Sequence, residues 1–162
     1  MSTRGNYVFI DYPVKQVSEN EWERDPEAIS KMKLGISDET DCIKRGNKIY
    51  VHWDNYPSYA LPTLFEFLHL DGAEGRKTDK EYLSAWFVAY KTVGLNETFT
   101  KDLSFTGVGL ENSLNSWCDY TYVILPDNDG FRIFIYDYHL NFIDEIHSTD
   151  DLKELENENW WH

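Results

Sequence analysis

The sequence predicts an α+β fold: a single domain over residues 1–162, with an antiparallel sheet and helices mainly on one face. Two observations predict this class. Runs of aromatic and β-branched residues, typical of strands, are mixed with helix start and stop signals, without the regular strand–helix alternation of a parallel sheet. The chain also contains 6 Trp, 11 Tyr and 9 Phe, whereas disordered chains are poor in aromatic residues.

The N-terminal elements are predicted to be a strand, a helix and a second strand. The run YVFIDY at residues 7–12 is typical of a strand, and Pro13 ends it. Asp25 as N-cap, Pro26 at the first helical position and Gly35 past the end predict a helix between them. A Gly-Asn turn then leads into the strand KIYVHW.

Two further helices and a loop are predicted for the middle of the chain. Residues 61–63, Leu-Pro-Thr, begin a helix that the Asp-Gly pair at 71–72 ends. Thr78 and Glu81 match a capping box, and the apolar residues after them recur on one helical face, which should pack on the sheet. Residues 94–116 are polar with three glycines, so a long loop is expected there.

The C-terminal third contains the clearest strand signals. The runs DYTYVIL and FRIFIYDY, joined by the turn PDNDG, predict a hairpin, and FIDEI predicts a third strand beside it. Ser148 and Asp151 predict the cap of a short final helix. The predicted order of elements is therefore β-α-β-α-α-β-β-β-α.

The net charge of −14 limits the classes of partner. It argues against direct binding to nucleic acid, which depends on Lys and Arg displacing counterions, and against anionic membrane surfaces. It permits a basic protein partner. From Asp119 onward there are 11 acidic residues and two basic ones, a balance of −9, against 18 and 13, a balance of −5, in the first 118 residues.

The acidic C-terminal third is either a docking face or an ordinary solvated surface. Two adjacent tryptophans near the end of the chain are costly to leave in water, so they are expected to pack on the body of the protein or on a partner. The candidate partner-binding residues are Asp144, Glu145, Asp150, Asp151, Glu154, Glu156, Glu158, Trp160 and Trp161.

Other motifs give few positive signals. Cys42 and Cys118 lack metal-site spacing and are too few for a disulfide framework, which favours a reduced, cytosolic setting. No apolar run approaches the ~18 residues of a membrane span, and the N-terminus does not resemble a secretory signal. No phosphate-binding loop or metalloprotease motif occurs, and DND at residues 127–129 lacks the acidic residue that completes a calcium loop. We therefore expect no metal and no cofactor.

The segment YVHWDNYP contains the residues best suited to chemistry. If strand alternation continues through it, Tyr50, His52 and Asp54 point one way and Trp53 the other. A His beside a carboxylate is the start of a general base or of a metal site. The alternative is structural: His52 hydrogen-bonds Asp54 or a backbone carbonyl, Trp53 fills the core, and residues 54–57 form a turn.

The opening MSTRGNYVFID and the later IYVHWDNYP resemble a group of small, mostly uncharacterised proteins of phages and bacterial mobile elements. That group begins with Thr-Arg-Ser and a strand, and it carries a Tyr-x-His-Trp-Asp-Gly-Tyr-Pro signature before a helix. The residues of this chain that match are Thr3, Arg4, Tyr50, His52, Trp53, Asp54, Tyr56 and Pro57. Gly5 replaces the Ser, and Asn55 replaces the Gly; Asn tolerates positive φ, so the turn can still form.

The resemblance implies a phage or mobile-element origin and a bacterial host cytoplasm, with no established activity. An insertion of about thirty residues between the first strand and KIYVHW departs from the compact spacing of the group. The resemblance covers about a third of the chain, and its His-Trp-Asp block is its most specific part.

Three functions remain open: a binding protein, which is favoured, an enzyme or small-ligand binder, and a structural accessory protein. A small acidic binding protein would inhibit a basic, nucleic-acid-handling partner, as anti-CRISPR and other anti-defence inhibitors or toxin-immunity proteins do, by electrostatic steering and aromatic anchors. No catalytic residue is then needed. Alternatively, the chain is an enzyme or binds a small, nucleotide-like ligand: Arg4 would hold a phosphate or carboxylate and His52 would move a proton, with Asp54 and Tyr56 beside them.

Overall fold

The computed structural model describes residues 3–93 and 107–162, and it confirms the α+β class. The strands are β1 (Gly5–Phe9), β2 (Val14–Ser18), β3 (Glu21–Arg24), β4 (Asn47–Val51), β5 (Val108–Glu111), β6 (Tyr120–Asp127), β7 (Gly130–Tyr136) and β8 (Phe142–Ile146). The helices are α1 (Pro26–Met32), α2 (Asp41–Lys44), α3 (Pro57–Leu68), α4 (Lys80–Val93) and α5 (Thr149–Leu155), with a 3₁₀ turn at Glu74–Arg76.

Six strands form one sheet in the order β5-β4-β1-β6-β7-β8, and β2 and β3 form a separate two-stranded ribbon. Neighbouring strands of the sheet are antiparallel, as predicted, except β1 and β6, which are parallel with Tyr7 opposite Tyr122. The sheet is therefore mixed. Hairpin signals specify only strands that are neighbours in sequence, and the β1–β6 pairing spans more than a hundred residues.

Both faces of the sheet are buried. Alternate residues of β1 point to opposite faces, and all five of its residues are inaccessible to solvent. The first face packs α3, α4 and α5, with Tyr7, Phe9, Leu64, Phe87 and Leu155 among its buried side chains. The second packs α1 and α2, with Val8, Ile10, Met32 and Ile43. The two longest helices share one face, as predicted, and the short helices cover the other.

The predicted start of α1 is confirmed, whereas the predicted start of α3 is wrong. Asp25 caps α1, accepting a hydrogen bond from the Ala28 amide at 3.2 Å. However, α3 begins at Pro57 rather than at residue 61, so Pro62 lies inside it. Pro57 supplies the same pre-set φ that Pro62 was expected to supply, and it comes first.

The capping box predicted before α4 does not form. Asp79, not Thr78, lies next to the first helical residue, and its side chain accepts the Tyr82 amide at 3.4 Å. Residues 94–106 of the loop predicted for 94–116 lie outside the described residues. Beyond them, β5 forms and pairs with β4. The sequence did not predict β2, β3, α2 or β5.

Candidate functional site

The segment from His52 to Tyr56 connects β4 to α3. Because β4 ends at Val51 and Asp54 has a φ of 60°, strand alternation does not continue through the segment. Trp53, predicted to fill the core, is instead 41% exposed, and its ring lies against Gly107. That prediction was wrong because it extended the strand two residues too far.

Asn55 is the buried centre of this connection. Its side-chain nitrogen lies 2.8 Å from the carbonyl oxygens of Thr3 and Val51 and 2.9 Å from that of Trp53. Its Oδ1 accepts a 2.6 Å hydrogen bond from the Tyr7 hydroxyl. The residue therefore ties the start of β1 and the end of β4 to the turn before α3.

Two buried tyrosines complete the network around Asn55. The Tyr122 hydroxyl donates to the Asn55 backbone carbonyl at 2.7 Å, and the rings of Tyr7 and Tyr122 stack at 5.2 Å. Burial raises the pKa of both hydroxyls, so both remain protonated donors. No sequence pattern predicted this network, because its members are far apart along the chain.

Gly5 lies directly against the side chain of Asn55. A Cβ atom on residue 5 would lie 2.8 Å from the Cβ and Cγ of Asn55. The side chain at position 55 thus occupies the space that a side chain at position 5 would need. The positive φ of the turn belongs to Asp54 rather than to Asn55, so the turn does not depend on the tolerance of positive φ that was expected to matter at position 55.

His52 does not pair with Asp54. Its Nδ1 lies 2.7 Å from the Tyr50 hydroxyl, and its ring contacts Trp53 edge-to-face at 4.9 Å. Within residues 3–93 and 107–162, neither a hydrogen bond nor an ion pair joins His52 to Asp54. Asp54 is exposed, and its charge acts instead on Lys91 of α4, whose pKa is lowered by burial and partly restored by this carboxylate.

Arg4 lies at the same end of the sheet as Tyr50 and His52. Its backbone is held by Asp119, whose carboxylate accepts the Arg4 amide at 3.0 Å and whose own amide donates to the Arg4 carbonyl at 2.9 Å. Burial raises the pKa of the Tyr50 hydroxyl, and the charge of Arg4 opposes that rise. Arg4, Tyr50 and His52 are thus gathered together, whereas Asp54 and Tyr56 are exposed beside them without a hydrogen bond to this group in the described residues.

The acidic C-terminal residues divide into two groups. Three carboxylates are engaged within the protein. Glu145 accepts hydrogen bonds from Lys33 at 2.6 Å and Arg132 at 2.7 Å. Asp144 accepts the Glu145 amide at 2.8 Å. Asp151 caps α5 by accepting the Ser148 amide at 3.0 Å, which confirms the predicted cap.

The second group consists of exposed carboxylates, and we call it the acidic C-terminal surface: Asp150, Glu154, Glu156 and Glu158. Within the described chain, no Lys, Arg or His nitrogen lies within 4.0 Å of any of them. Lys153 is the only Lys or Arg after position 132 in the sequence. This surface is therefore strongly and locally negative.

The terminal tryptophans pack on the body of the protein. Trp161 is only 6% exposed and belongs to the core on the α3 face; its carbonyl accepts the Ser58 amide at 2.9 Å. Trp160 is half-buried, and its carbonyl accepts the Tyr120 hydroxyl at 3.3 Å. Of the two outcomes predicted for them, packing on the body is the one that the structure contains, so Trp161 does not offer its ring to a partner.

Comparison with protein-family models, with curated proteins and with solved structures finds no match for this chain. Among residues 3–93 and 107–162, no cluster of His, Cys, Asp and Glu is arranged to hold a metal ion. In the same part of the chain, no helix has both the length and the apolar character needed to cross a membrane. Any function must be inferred from the surfaces themselves.

Proposed function

We propose that the protein binds a basic, nucleic-acid-handling protein through the acidic C-terminal surface and inhibits it. The observation that supports this proposal is the group of four exposed carboxylates, at Asp150, Glu154, Glu156 and Glu158, without a neutralising partner in the described residues. Some carboxylates elsewhere, such as Asp11 and Asp41, are paired with Lys80 and Arg45, and others, such as Glu19 and Glu74, are not paired within the described part of the chain. The acidic C-terminal surface differs because its four exposed carboxylates lie within residues 150–158.

The positions of Glu154 and Glu156 favour binding over simple solvation. Glu154 and Glu156 lie at the C-terminal end of α5, where the helix dipole disfavours negative charge. Asp150 and Glu154 are four residues apart on the same helix, a spacing at which like charges repel. Solubility alone could be served by carboxylates placed where they do not weaken a helix, so a cationic partner is the better explanation.

The surface is also held rigidly. The Asp151 cap fixes the start of α5, while Leu155 and Trp161 anchor the segment to the core on either side of Glu156 and Glu158. A surface whose geometry is fixed before binding loses less conformational entropy in the complex. The carboxylates can therefore present a set pattern of negative charge to a complementary basic groove.

Inhibition would follow from competition. A groove that binds nucleic acid is lined with Lys and Arg, and carboxylates seated there exclude phosphate groups. Opposite charges would also accelerate association, in a way that salt suppresses. A CRISPR effector or other defence nuclease and a nuclease toxin both have such a groove, so an anti-defence inhibitor and a toxin-immunity protein share this mechanism.

The test compares two matched double variants, Glu154→Lys with Glu158→Lys and Glu39→Lys with Glu74→Lys. Each pair changes the net charge by the same amount at exposed positions. Binding is measured against a panel of purified bacterial nucleases with isoelectric points above about 9, in salt from about 50 to 500 mM. We expect the first pair to abolish salt-sensitive binding and inhibition of the nuclease, and the second pair to retain both. Binding that is indifferent to salt and to both pairs would refute the proposal.

A second candidate function is supported by the 2.7 Å contact between Tyr50 and His52 beside Arg4. A guanidinium, a hydroxyl and an imidazole at one end of a sheet are groups suited to a small anionic, nucleotide-like ligand. ATP serves as the probe: a rise in melting temperature that Arg4→Ala and His52→Ala both remove, and that the acidic-surface variants leave intact, would favour this function over the first.

A further inference from the structure

The β2–β3 ribbon projects from the body of the protein. Every residue of Val14–Ser18 and of Glu21–Arg24 is exposed, and neither strand pairs with the six-stranded sheet. The base of the ribbon is fixed by the Asp25 amide, which donates to the Pro13 carbonyl at 2.9 Å, and by Arg24, whose guanidinium lies over the Tyr12 ring. A two-stranded ribbon with nothing packed on it is marginally stable in water.

One face of the ribbon carries an exposed tryptophan. Trp22 is 60% exposed and lies opposite Gln16, while Val14 lies opposite Arg24 on the same face. A bulge at Val17 interrupts the register, and Val17 is exposed as well. Exposed tryptophan on a surface that is otherwise polar is the residue type most often found to dominate binding energy in protein interfaces.

The charges of the ribbon are unbalanced at its tip. Lys15 is paired with Glu23 at 3.7 Å, and Arg24 is engaged with Tyr12 and Asn128 at the base. Glu19 and Glu21, at the turn, have no cation within 4.0 Å among the described residues. The free charge of the ribbon is therefore negative and concentrated beside Trp22.

We propose that the β2–β3 ribbon is a second docking element, which enters a cleft of the same basic partner protein with Trp22 in an apolar pocket and with Glu19 and Glu21 against Lys and Arg at its rim. Both faces of the ribbon are exposed, so it fits a cleft better than a flat surface. The inference rests on the proposed function for the identity of the partner. It differs from the proposed function because it assigns binding energy to an apolar anchor, Trp22, which is far from α5 in the sequence.

The experiment uses the full chain and the same panel of basic nucleases. Trp22→Ala is compared with Trp117→Ala, since Trp117 is similarly exposed, at 68%, but lies in the turn before β6. We expect Trp22→Ala to weaken binding by about 30-fold or more and Trp117→Ala to change it less than about threefold. In the wild-type complex, amides 14–24 should gain protection from hydrogen exchange, a readout that does not depend on how the variant folds.

The two proposals fail separately. Loss of binding on Glu154→Lys with Glu158→Lys, but not on Trp22→Ala and without ribbon protection, overturns the ribbon proposal and leaves the acidic surface. The reverse pattern overturns the acidic surface and leaves the ribbon. A panel in which no nuclease binds with a Kd below about 10 μM overturns both. Self-association that Trp22→Ala removes, seen by sedimentation, also overturns the ribbon proposal, because the occupant would then be a second copy of the chain.

Discussion

The side chain of Asn55 lies where a side chain on Gly5 would have to be: a Cβ on residue 5 would be 2.8 Å from the Asn55 Cβ. The pair therefore works as one unit, in which one residue supplies an amide and the other supplies the space for it.

We predict that Gly5→Ser destabilises the protein by about 1–3 kcal/mol, because the new side chain overpacks a filled site. In an Asn55→Gly background the same change should cost much less, since the space is then empty. A double-mutant cycle in urea measures this coupling, with an expected interaction energy of about 1–2 kcal/mol. Additive effects of the two changes would show that the residues do not compete for the same space.

Asn55→Ala should lower the free energy of unfolding by about 2–4 kcal/mol, because it leaves the Tyr7 hydroxyl and the buried carbonyls around it unpaired. Asn112→Ala is the control, since Asn112 is exposed and its loss should change stability by no more than about 0.5 kcal/mol. Chemical denaturation measures both. Asn55→Asp separates the roles of the amide: it keeps an acceptor for Tyr7 but places negative charge beside three carbonyl oxygens, so it should be at least as destabilising as alanine.

Several local signals in the sequence predicted local structure correctly, although the start of α3 and the capping box before α4 were wrong. Asp25 and Pro26 begin a helix because one accepts an orphan amide and the other has a pre-set φ, and both effects act within a few residues. The β6–β7 hairpin and the Ser148–Asp151 cap follow from equally short-range chemistry. The α+β class was predictable for this reason.

Long-range features were not predictable from the same signals. The parallel pairing of β1 with β6 depends on tertiary contacts, and no short segment encodes it. The ribbon was missed because its strands carry mostly polar residues, and so lack the aromatic and β-branched runs by which the other strands were found. Trp22, the residue on which our further inference depends, lies in that unpredicted element.

The candidate site was predictable in composition but not in geometry. The sequence singled out Arg4, His52 and Asp54, and the structure brings Arg4 and His52 to one end of the sheet with Tyr50. Asp54 makes no hydrogen bond to this group among the described residues, because its φ of 60° turns the chain out of the strand. A pattern of alternating residues cannot reveal where a strand ends. The sequence predicted a role only for the backbone of Asn55, although its side chain makes the contacts that hold the turn.

Glu145→Gln should make the free energy of unfolding depend less on pH in acid. Burial alone would raise the pKa of this carboxyl, but hydrogen bonds from Lys33 and Arg132 outweigh it and lower the pKa below its ordinary 4.5. A lowered pKa in the folded state stabilises the protein above pH 4.5, and that stabilisation is lost as the pH falls through the lowered pKa. The wild type should therefore exceed the variant in stability at pH 7, and the difference should shrink in acid below pH 4.5.

The control for this profile is Glu19→Gln, because Glu19 is exposed, lies in a turn outside any helix and has no ion pair among the described residues. Thermal denaturation from about pH 7 to about pH 2.5 measures all three proteins. The control should follow the wild type throughout. Parallel curves for the wild type and Glu145→Gln would mean that the Lys33–Glu145–Arg132 group contributes nothing that depends on ionisation.

Trp161→Ala should lower the free energy of unfolding by about 3–5 kcal/mol, because a large ring is removed from the core on the α3 face. Trp117→Ala removes the same side chain from an exposed position and should change stability by no more than about 0.5 kcal/mol. If Trp161 were instead an anchor for a partner, its replacement would leave stability unchanged and weaken only binding. In our interpretation the ring holds Glu156 and Glu158 in place, so binding should weaken as a consequence of the loosened segment, and stability measured in the absence of any partner decides between the two roles.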